Sequence, residues 1–345
     1  MTVNLIELGG LMSSDMQNYF SCVNFPASQL KFVDVDDPPT QPSDEATLDV
    51  EMIAGLDNGA TIMDYESDDT TAQTLDSLFV ILNDELQAIV NDNASTNVNG
   101  SVVSISYGWA EDQLDPNVVA AIDQSLQTLV SVEHMTVFVA SGDCGAFIGG
   151  DPQHLDVSFP ASDPWSTAVG GTELAVTGQG SRANEIVWGE HPAEATCKSN
   201  NWGSGGGVSS IFTIPSYQAG RGVKNQYSNG GRQLPDISAV ADNIPVYYDG
   251  HWIAVGGTSA ATPIWGSAMV LLNQALIQNE RAYIYGSDTF YDMENRAGAM
   301  LPYFDVVRGD NEYYKATLAW DNASGWGTPN LLNLYNAALR VYFKK

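Results

Sequence analysis

The feature that most constrains the fold is an alternation of short apolar runs with longer segments of helical spacing. The apolar runs have the length of buried strands and lie near residues 3–8, 31–35, 60–65, 101–108 and 136–143. Segments with helical spacing lie between them, near residues 16–20, 44–56, 72–86 and 116–134. This alternation predicts an α/β fold, in which a mostly parallel central sheet carries helices on both faces.

Length and composition place these elements in one unit. The chain has 345 residues, of which 44% are hydrophobic, so it can bury a large core. Neither a repeat of fixed period nor a linker interrupts the sequence, and the glycine-rich residues 203–207 are too few to separate domains. We therefore expect a single compact domain over residues 1–345.

The charge balance restricts the partners of the protein. Asp and Glu number 42 against 13 Lys and Arg, for a formal net charge of −29 at pH 7. Such a surface repels nucleic acid and anionic membranes. Protonation at low pH relieves the self-repulsion, which favours an acidic working medium, with solubility or salt adaptation as alternatives. Charged residues make up only 16% of the chain, which weakens the salt-adaptation alternative.

The sequence contains few features that indicate the cellular compartment of the protein. The three cysteines allow at most one internal disulfide and leave one thiol over: Cys22, Cys144 and Cys197. Three glycosylation sequons matter only if the chain is secreted: Asn93, Asn99 and Asn322. The sequence shows neither an apolar stretch long enough to span a bilayer nor a signal-peptide pattern, so we expect no membrane span.

The first candidate for chemistry is a serine between two glycines and an alanine-rich run. In GGTSAATPIWG, residues 256–266, the glycines permit unusual torsions and the run that follows has helical spacing. Ser259 is therefore expected at a helix N-terminus, where free amide groups and the helix dipole stabilise an anion. The alternative is that Ser259 or Thr258 only caps the helix.

A nucleophilic serine needs a base, which is most often histidine. No histidine here lies in the His-Gly-Thr setting of subtilisin-like proteases, which disfavours a histidine triad: His134, His154, His191 and His251. Glu45 and Asp49 offer another route, because residues four apart share one face of a helix. Such a pair can titrate as a unit with one raised pKa. The alternative is that both carboxylates face water near the positive end of the helix.

Polar residues also follow two of the expected strands. Asp143 comes after the apolar run TVFVA, and Ser106 to Gly108 come after SVVSI. In parallel sheets, functional groups gather beyond the carboxyl ends of the strands, so these residues are expected near the same site.

Three motifs in order resemble the catalytic motifs of the sedolisins, the serine-carboxyl peptidases: EATLD at 45–49, SGDCG at 141–145 and GTSAATP at 257–263. Further stretches are similar to the same family: IELGG at 6–10, SVVSISYG at 101–108, FPASDPWSTAVGGTEL at 159–174, WGSGGGVSSIF at 202–212, GRQLPDISAVAD at 231–242 and ASGWGTPN at 323–330. The likeness covers nearly the whole chain. It implies a subtilisin-like fold and a sedolisin-type peptidase catalytic domain over residues 1–345 without its propeptide.

The resemblance implies a role for each catalytic position. Ser259 is the nucleophile, Glu45 is the general base and later the acid, and Asp49 orients Glu45. Asp143 supplies the oxyanion hole, for which it must be protonated, because a carboxylic acid donates a hydrogen bond that a carboxylate cannot. The activity implied is hydrolysis of peptide bonds in acid, as an endopeptidase or a tripeptidyl-peptidase. The alternative is a catalytically inactive peptide-binding protein on the same fold.

The expected substrate is a peptide or an unfolded protein, bound as an extended strand between two backbone segments. The first segment carries Ser106, Tyr107 and Gly108, and the second carries Ser204, Gly205 and Gly206. Relatives commonly have Trp where this chain has Tyr107. Some also have Asp where this chain has Ser158, so no side-chain preference is carried over.

The resemblance also implies one structural calcium ion near the C-terminus. The expected ligands are two carboxylates and three main-chain carbonyls, a mixture of hard oxygens that suits Ca²⁺: Asp305, Val306, Thr317, Ala319 and Asp321. Relatives often have Gly in place of Thr317 and Ala319. The family further implies a propeptide in the precursor, and we expect a monomer that is secreted or held in an acidic, lysosome-like compartment.

Overall fold

The computed structural model describes residues 1–96, 100–189 and 202–343. Three positions discussed above lie outside these ranges: Asn99, His191 and Cys197. The described ranges contain seven α-helices: α1 (Ser13–Val23), α2 (Asp44–Leu56), α3 (Leu75–Thr96), α4 (Pro116–Ser131), α5 (Thr258–Gln278), α6 (Asp288–Arg296) and α7 (Leu331–Tyr342).

The same ranges contain sixteen strands: β1 (Thr2–Glu7), β2 (Leu30–Asp34), β3 (Thr61–Glu66), β4 (Val102–Ile105), β5 (Trp109–Ala110), β6 (Thr136–Ala140), β7 (Ser158–Phe159), β8 (Ser166–Val176), β9 (Arg182–Val187), β10 (Gly207–Thr213), β11 (Gly231–Leu234), β12 (Ile237–Val240), β13 (Ile244–Tyr248), β14 (His251–Val255), β15 (Tyr303–Phe304) and β16 (Thr328–Pro329). Eight of them form the central sheet, and the others pair in four short two-stranded sheets.

The central sheet has the order β12-β8-β6-β4-β1-β3-β2 with every pair parallel, and β9 adds antiparallel to the end of β8. The strands that directly follow β1 in sequence, β2 and β3, lie on one side of it. The strands from β4 onward lie on the other side, in the order β4, β6, β8 and β12. The order therefore reverses between β1 and β4, and a ligand site is expected beyond their carboxyl ends. Glu7 ends β1 and Ser106 follows β4 at this place.

Helices cover both faces of the sheet, because successive strand residues point to opposite sides. On β1, Leu5 packs in the core beneath α1, α2, α5, α6 and α7, whereas Ile6 packs in the core beneath α3 and α4. Buried aromatic residues such as Trp265 and Phe290 fill the first core. The predicted subtilisin-like α/β class, with a mostly parallel sheet and helices on both faces, is confirmed.

Two element boundaries differ from the sequence prediction. The strand expected over residues 101–108 ends at Ile105, which is the last residue of β4 to pair with β1. Ser106, Tyr107 and Gly108 therefore lie in the connection that follows. The helix expected to reach residue 134 ends at Ser131, since His134 already has a left-handed backbone conformation (φ 56°).

The expectation that no segment has the length and apolarity of a membrane span needs one correction. By these two measures α5 is long and apolar enough to cross a membrane. Most of the apolar part of α5 is buried inside the protein, where the helix contacts α2 and five strands of the central sheet. Its apolarity thus matches its position as a core helix.

Candidate active site

Ser259 lies in the first turn of α5, with Gly257 at the N-cap position. The residue is 8% exposed, and its hydroxyl donates weakly to the main-chain carbonyl of Ser106 at 3.4 Å. The Thr258 hydroxyl donates to Asp143. Neither hydroxyl caps the helix, so the capping alternative is wrong and both are directed toward the ends of neighbouring strands.

The pair Glu45 and Asp49 lies on α2, whose N-terminus is capped by the Ser43 hydroxyl. The helix packs against α5, which places both carboxyl groups beside the first turn of α5. Asp49 is completely buried, and its Oδ2 accepts a hydrogen bond from the Ser106 hydroxyl at 2.6 Å. The alternative in which both carboxylates face water is therefore wrong.

The pKa of Glu45 is raised to about 8, chiefly by burial and in smaller part by the charge of Asp143, although the Ser259 and Ser106 hydroxyls oppose the rise. The pKa of Asp49 is also well above its usual range, first because of burial and then because of the charge of Glu45. Each carboxyl group therefore makes ionisation of the other more costly, which is the behaviour expected of a pair that shares protons.

Contact between Glu45 and Ser259 is close but not fully formed. The Ser259 hydroxyl is near enough to lower the pKa of Glu45. However, its donor bond goes to the Ser106 carbonyl, and Oε1 of Glu45 is buried without a hydrogen-bond partner. Active-site bonds of this kind often tighten only when substrate binds.

Asp143 lies in the turn after β6. Its Oδ1 accepts hydrogen bonds from the main-chain N–H and the hydroxyl of Thr258, both at 2.7 Å. A Cβ atom on Gly257 would lie 3.0 Å from Oδ2 of Asp143 and 3.7 Å from Cβ of Ser259. Glycine at this position thus allows Oδ2 to approach the serine. Burial raises the pKa of Asp143, although both Thr258 donors oppose the rise.

The structure adds to this group one residue that the sequence reasoning missed, Glu7, and places Tyr107, which was expected to bind the substrate, against it. Glu7, at the end of β1, is fully buried and accepts a hydrogen bond from the Tyr107 hydroxyl at 3.1 Å. Burial raises the pKa of Glu7 strongly, and the charges of Asp49 and Asp64 contribute. The available signal was an acidic residue at the end of a mostly apolar strand, where a buried carboxyl group costs free energy unless it has a partner or a task.

The expected substrate-binding residues divide into two groups. Gly108 is exposed, whereas the side chains of Ser106 and Tyr107 bond to the carboxyl groups of Asp49 and Glu7. The second segment, Ser204 to Gly206, is buried and forms no open edge. The N–H groups of its three residues donate to the carbonyls of Trp188, Gly142 and Gly145. This segment therefore packs against the turn that carries Asp143 and holds that turn in place through main-chain hydrogen bonds.

The three described histidines lie elsewhere. His154 pairs with Asp112 at 2.7 Å, and the ring of His134 stacks on Tyr285. His251 is exposed at the start of β14, where its Nδ1 contacts the carbonyl of Asp249. Within the described ranges, Ser259 therefore has carboxyl groups and no imidazole around it.

The five expected calcium ligands lie in two adjoining loops. Oδ1 of Asp321 accepts bonds from the N–H groups of Ala323 and Ser324, and Oδ2 accepts from Thr317 N at 2.6 Å. Asp305 Oδ2 accepts from Ala319 N at 2.8 Å, whereas Oδ1 is buried and has no partner.

Two of these features fit a hard cation. The orphaned oxygen of Asp305 can serve as a ligand, and Ala319 has a left-handed conformation (φ 69°) that glycine adopts most readily. The backbone therefore keeps the shape for which relatives often use glycine. A separate group of side chains close enough to hold a metal lies elsewhere: Asp112, His154 and Asp156.

Comparisons with known proteins show the family to which the chain belongs. The model of the subtilase family matches residues 55–327. Kumamolisin from Bacillus sp. (strain MN-32) is 30% identical over 98% of this chain, and sedolisin from Pseudomonas sp. (strain 101) is 28% identical over 96%. Human tripeptidyl-peptidase 1 is 28% identical over 74% of this chain.

Among solved structures, Pseudomonas sedolisin, a serine-carboxyl proteinase complexed with two molecules of pseudo-iodotyrostatin, has a TM-score of 0.81 and 28% identity. The alignment covers 99% of this chain and 93% of that one. The chain spans 60% of the full length of kumamolisin, 57% of sedolisin and 45% of human tripeptidyl-peptidase 1.

Proposed function

Because the chain belongs to the subtilase family and is similar to the sedolisins along nearly its whole length, we propose that it is an acid-acting serine-carboxyl peptidase. It hydrolyses peptide bonds through an acyl-enzyme on Ser259. The observation that carries this proposal is the convergence of three carboxyl groups, one fully buried and two partly buried, on one serine at a helix N-terminus: Asp49, Glu45 and Asp143.

The first step is attack of Oγ of Ser259 on the scissile carbonyl carbon while Glu45 takes the hydroxyl proton. The Glu45–Asp49 pair reacts in its singly ionised form, with the charge on Glu45 and the proton on Asp49, and because the pKa of Glu45 is raised to about 8 this form is a minority of the enzyme in acid. Ser106, whose hydroxyl bonds to Asp49, holds that carboxyl in place. Glu45 then gives its proton to the leaving amine, and the acyl-enzyme remains.

Hydrolysis of the acyl-enzyme repeats these transfers with water. Glu45 takes a proton from the water as its oxygen attacks the ester carbonyl, and returns a proton to Oγ of Ser259 as the acid product leaves. In both steps the oxyanion accepts a hydrogen bond from protonated Asp143. Its Oδ1 is already occupied by the two donors of Thr258, which directs the proton to Oδ2, on the side of Gly257 and Ser259.

The substrate is a peptide or an unfolded protein that lies extended along Ser106, Tyr107 and Gly108. The exposed Gly108 is the best placed of these to pair with a substrate backbone. Ser204, Gly205 and Gly206 support the site from behind and are not proposed to touch the substrate. The enzyme is an endopeptidase or a tripeptidyl-peptidase, depending on whether one end of the cleft is closed.

One calcium ion is proposed in the C-terminal loops. The carboxyl groups of Asp305 and Asp321 would hold it, together with the carbonyls of Val306, Thr317 and Ala319. When bound, the ion supplies a crosslink between two loops and takes no part in the chemistry. Support comes from the orphaned Asp305 oxygen and the left-handed Ala319.

The cellular setting follows from the proposed chemistry. We place the chain in a secreted or lysosome-like acidic compartment, as the monomeric catalytic domain, residues 1–345, of a precursor with a propeptide. The net charge of −29 is tolerated best where carboxylates are partly protonated. The need for a protonated Asp143 points to the same acidic medium.

The decisive experiment is hydrolysis of a denatured protein at acidic pH by the wild type and by Ser259→Ala. We expect the variant to lose about six orders of magnitude in kcat, which is the usual cost of losing such a nucleophile. Replacing each of the four histidines serves as the control and should leave activity intact. Hydrolysis by Ser259→Ala would refute the proposal.

The alternative, an inactive peptide-binding protein, is tested by a peptide aldehyde. An active enzyme forms a covalent hemiacetal with the Ser259 hydroxyl, which mass spectrometry or crystallography of the wild type would detect. A protein that binds the aldehyde without this bond would be the peptide-binding protein. Mass spectrometry of the cleavage products distinguishes tripeptide release from internal cutting.

A further inference from the structure

Three side chains of metal-binding type meet beside β5, outside the proposed calcium loops: Asp112, His154 and Asp156. One ring nitrogen of His154 and one oxygen of each carboxyl group all lie within 4.8 Å of one another. The closest measured approach is 2.7 Å, between Nε2 of His154 and Oδ2 of Asp112. A tetrahedral ion with bonds of about 2.1 Å holds its ligand atoms about 3.4 Å apart, so each pair is within about 1.4 Å of the required spacing.

Asp156 is the buried member of this group. The residue is 8% exposed, and its Oδ2 accepts a hydrogen bond from the N–H of Gly149 at 2.8 Å. Its Oδ1 is buried and has no hydrogen-bond partner in the part of the chain that the structure describes. A buried carboxyl oxygen without a partner costs free energy unless a donor or a cation reaches it. The bond from Gly149 meanwhile orients the carboxyl group, as hydrogen bonds behind metal ligands commonly do.

The backbone already holds the two carboxyl groups near each other. Asp112 lies in the short 3₁₀ turn Glu111–Gln113, which follows β5, and Asp156 lies two residues before β7. β5 and β7 pair antiparallel, and the N–H of Glu111 donates to the carbonyl of Val157 at 3.0 Å. Each acid is therefore the direct neighbour in sequence of a residue in this main-chain hydrogen bond. A site on such fixed elements needs little ordering when an ion binds.

His154 is positioned by a hydrogen-bonded turn. Its main-chain N–H donates to the carbonyl of Asp151, and the N–H of Gln153 donates to the Asp151 carboxyl group, both at 2.9 Å. Asp112 and His154 are both exposed, so the group is open to solvent on the side away from Asp156. An ion could therefore enter without a movement of the main chain.

The donor set indicates the kind of ion. With a neutral imidazole, the two carboxylates carry two negative charges, which a divalent cation balances. Ca²⁺ takes six to eight oxygen ligands, whereas imidazole nitrogen suits transition ions. Zn²⁺ accepts three ligands from imidazole and carboxylate groups and a water in the fourth position.

We propose that Asp112, His154 and Asp156 bind one divalent transition-metal ion, for which Zn²⁺ is the best fit. The ion links the turn after β5 to the segment before β7 and takes no part in peptide hydrolysis. The site is separate from the proposed calcium ion in its residues and in the type of ion. It also does not depend on the proposed function.

The alternative explanation of the same contact is a surface ion pair between protonated His154 and Asp112. Such an exposed pair contributes little to stability and does not require Asp156. The hydrogen bond from Asp112 raises the pKa of His154. The test is therefore made at about pH 8, where a larger fraction of the imidazole is free to bind an ion.

The experiment is calorimetric titration of the full chain with ZnCl₂ after treatment with a chelator and dialysis. About 1 mM CaCl₂ is present throughout, so that the calcium loops are not available to Zn²⁺. We expect one equivalent of Zn²⁺ to bind to the wild type and the Tm to rise with the logarithm of its concentration. His154→Ala and Asp156→Asn should each weaken binding by at least about tenfold.

His251→Ala is the matched control. His251 is also exposed, and its Nδ1 contacts the main-chain carbonyl of Asp249. It is outside the group formed by Asp112, His154 and Asp156. Removing this imidazole should leave the affinity for Zn²⁺ and the Tm response as in the wild type.

Each outcome decides the inference. Binding of one equivalent that is weakened in His154→Ala and Asp156→Asn and kept in His251→Ala supports it. A wild type that binds no Zn²⁺ overturns it, as does an affinity that His154→Ala or Asp156→Asn leaves unchanged, or that His251→Ala weakens equally. If Asp156→Asn does not fold, Asp112→Asn takes its place with the same two outcomes. Hydrolysis by Ser259→Ala would refute the proposed function and leave this site unaffected.

Discussion

The main-chain N–H and the hydroxyl of Thr258 both donate to the same oxygen of Asp143, each at 2.7 Å. One carboxyl oxygen of Asp143 is thereby committed as an acceptor. The other oxygen lies beside Gly257 and faces the side of Ser259. An acid held in this way has one orientation, and its proton can be carried only on the oxygen near the nucleophile.

Asp143→Asn should keep much of the activity and extend it to higher pH. The two Thr258 donors fix the amide oxygen in the place of Oδ1, so the amide NH₂ takes the place of Oδ2 and donates at every pH. Asp143→Ala has no donor and should lose about 10²- to 10³-fold in kcat. The measurement is kcat across the pH range for both variants, and equal losses in both would contradict it.

The stability of the protein should fall as pH rises from about 4.5 to about 8, because buried acids keep their protons longer in the folded state. Glu45 and Glu51 have pKa values raised from 4.5 to about 8. Between these limits the unfolded chain releases protons that the folded chain retains, which favours unfolding. Thermal unfolding at several pH values checks this. A Tm that rises between pH 5 and pH 8 would count against the raised values, and Glu51→Gln should flatten the slope.

Gly205→Ala should impair activity and stability together. A Cβ atom at this position would lie 1.9 Å from the carbonyl oxygen of Ser141, in the turn that carries Asp143. The segment cannot retreat easily, because Gly205 N donates to Gly142 O and the Ser141 hydroxyl donates to Gly205 O, both at 2.7 Å. We expect a loss of about 1–3 kcal/mol in the free energy of unfolding.

The matched control for this change is Gly178→Ala. A Cβ atom there meets no atom within 4 Å. The free energy of unfolding should change by less than about 0.5 kcal/mol, and activity should be retained. Chemical denaturation and the peptidase assay measure both variants, and equal behaviour of the two would show that the segment behind the turn is not tightly packed.

Arg232→Met should be among the most damaging changes away from the site. The guanidinium group is completely buried and makes two bonds to Asp236, at 2.7 Å and 3.1 Å. Its removal leaves a buried carboxylate without its partner, at a cost of about 3–5 kcal/mol. Arg296→Met, which breaks the exposed pair with Asp292, should cost less than about 1 kcal/mol. Denaturant titration of both variants tests the contrast.

Removal of calcium should lower the Tm if the proposed ion is bound. Chelation would release the ion from Asp305 and Asp321, and added Ca²⁺ should restore the Tm in proportion to the logarithm of its concentration. Asp305→Ala should abolish the response. Asp112→Ala alters a separate group of possible metal ligands and should preserve it. A Tm that changes with neither chelator nor added Ca²⁺ would contradict the proposed calcium site.

Local patterns in the sequence were enough for the fold class and for part of the site. The alternation of apolar runs and helical segments predicted the sheet and its two helical layers, because strand and helix periods are local properties. The spacing of Glu45 and Asp49 predicted a shared helix face for the same reason. The glycines before Ser259 predicted the start of a helix, and α5 begins at Thr258.

Other features depended on which elements meet in space. Glu7 is distant in sequence from Glu45 and Asp49, and nothing local marks it as their neighbour. The segment Ser204 to Gly206 was expected at an open edge, yet it packs behind Ser141 and Gly142. Glycine permits close approach in either place, so composition alone does not distinguish the two positions.

By itself, the sequence determined the order of strands and helices, the acidic surface and the identities of the reactive groups. Only the tertiary structure decided that α2, α5 and the ends of β1, β4 and β6 converge, so that acids far apart in the chain share one buried space. The physical reason is that periodicity and residue type act over a few neighbouring residues. The pKa of a buried acid depends instead on every charge and on the solvent excluded around it.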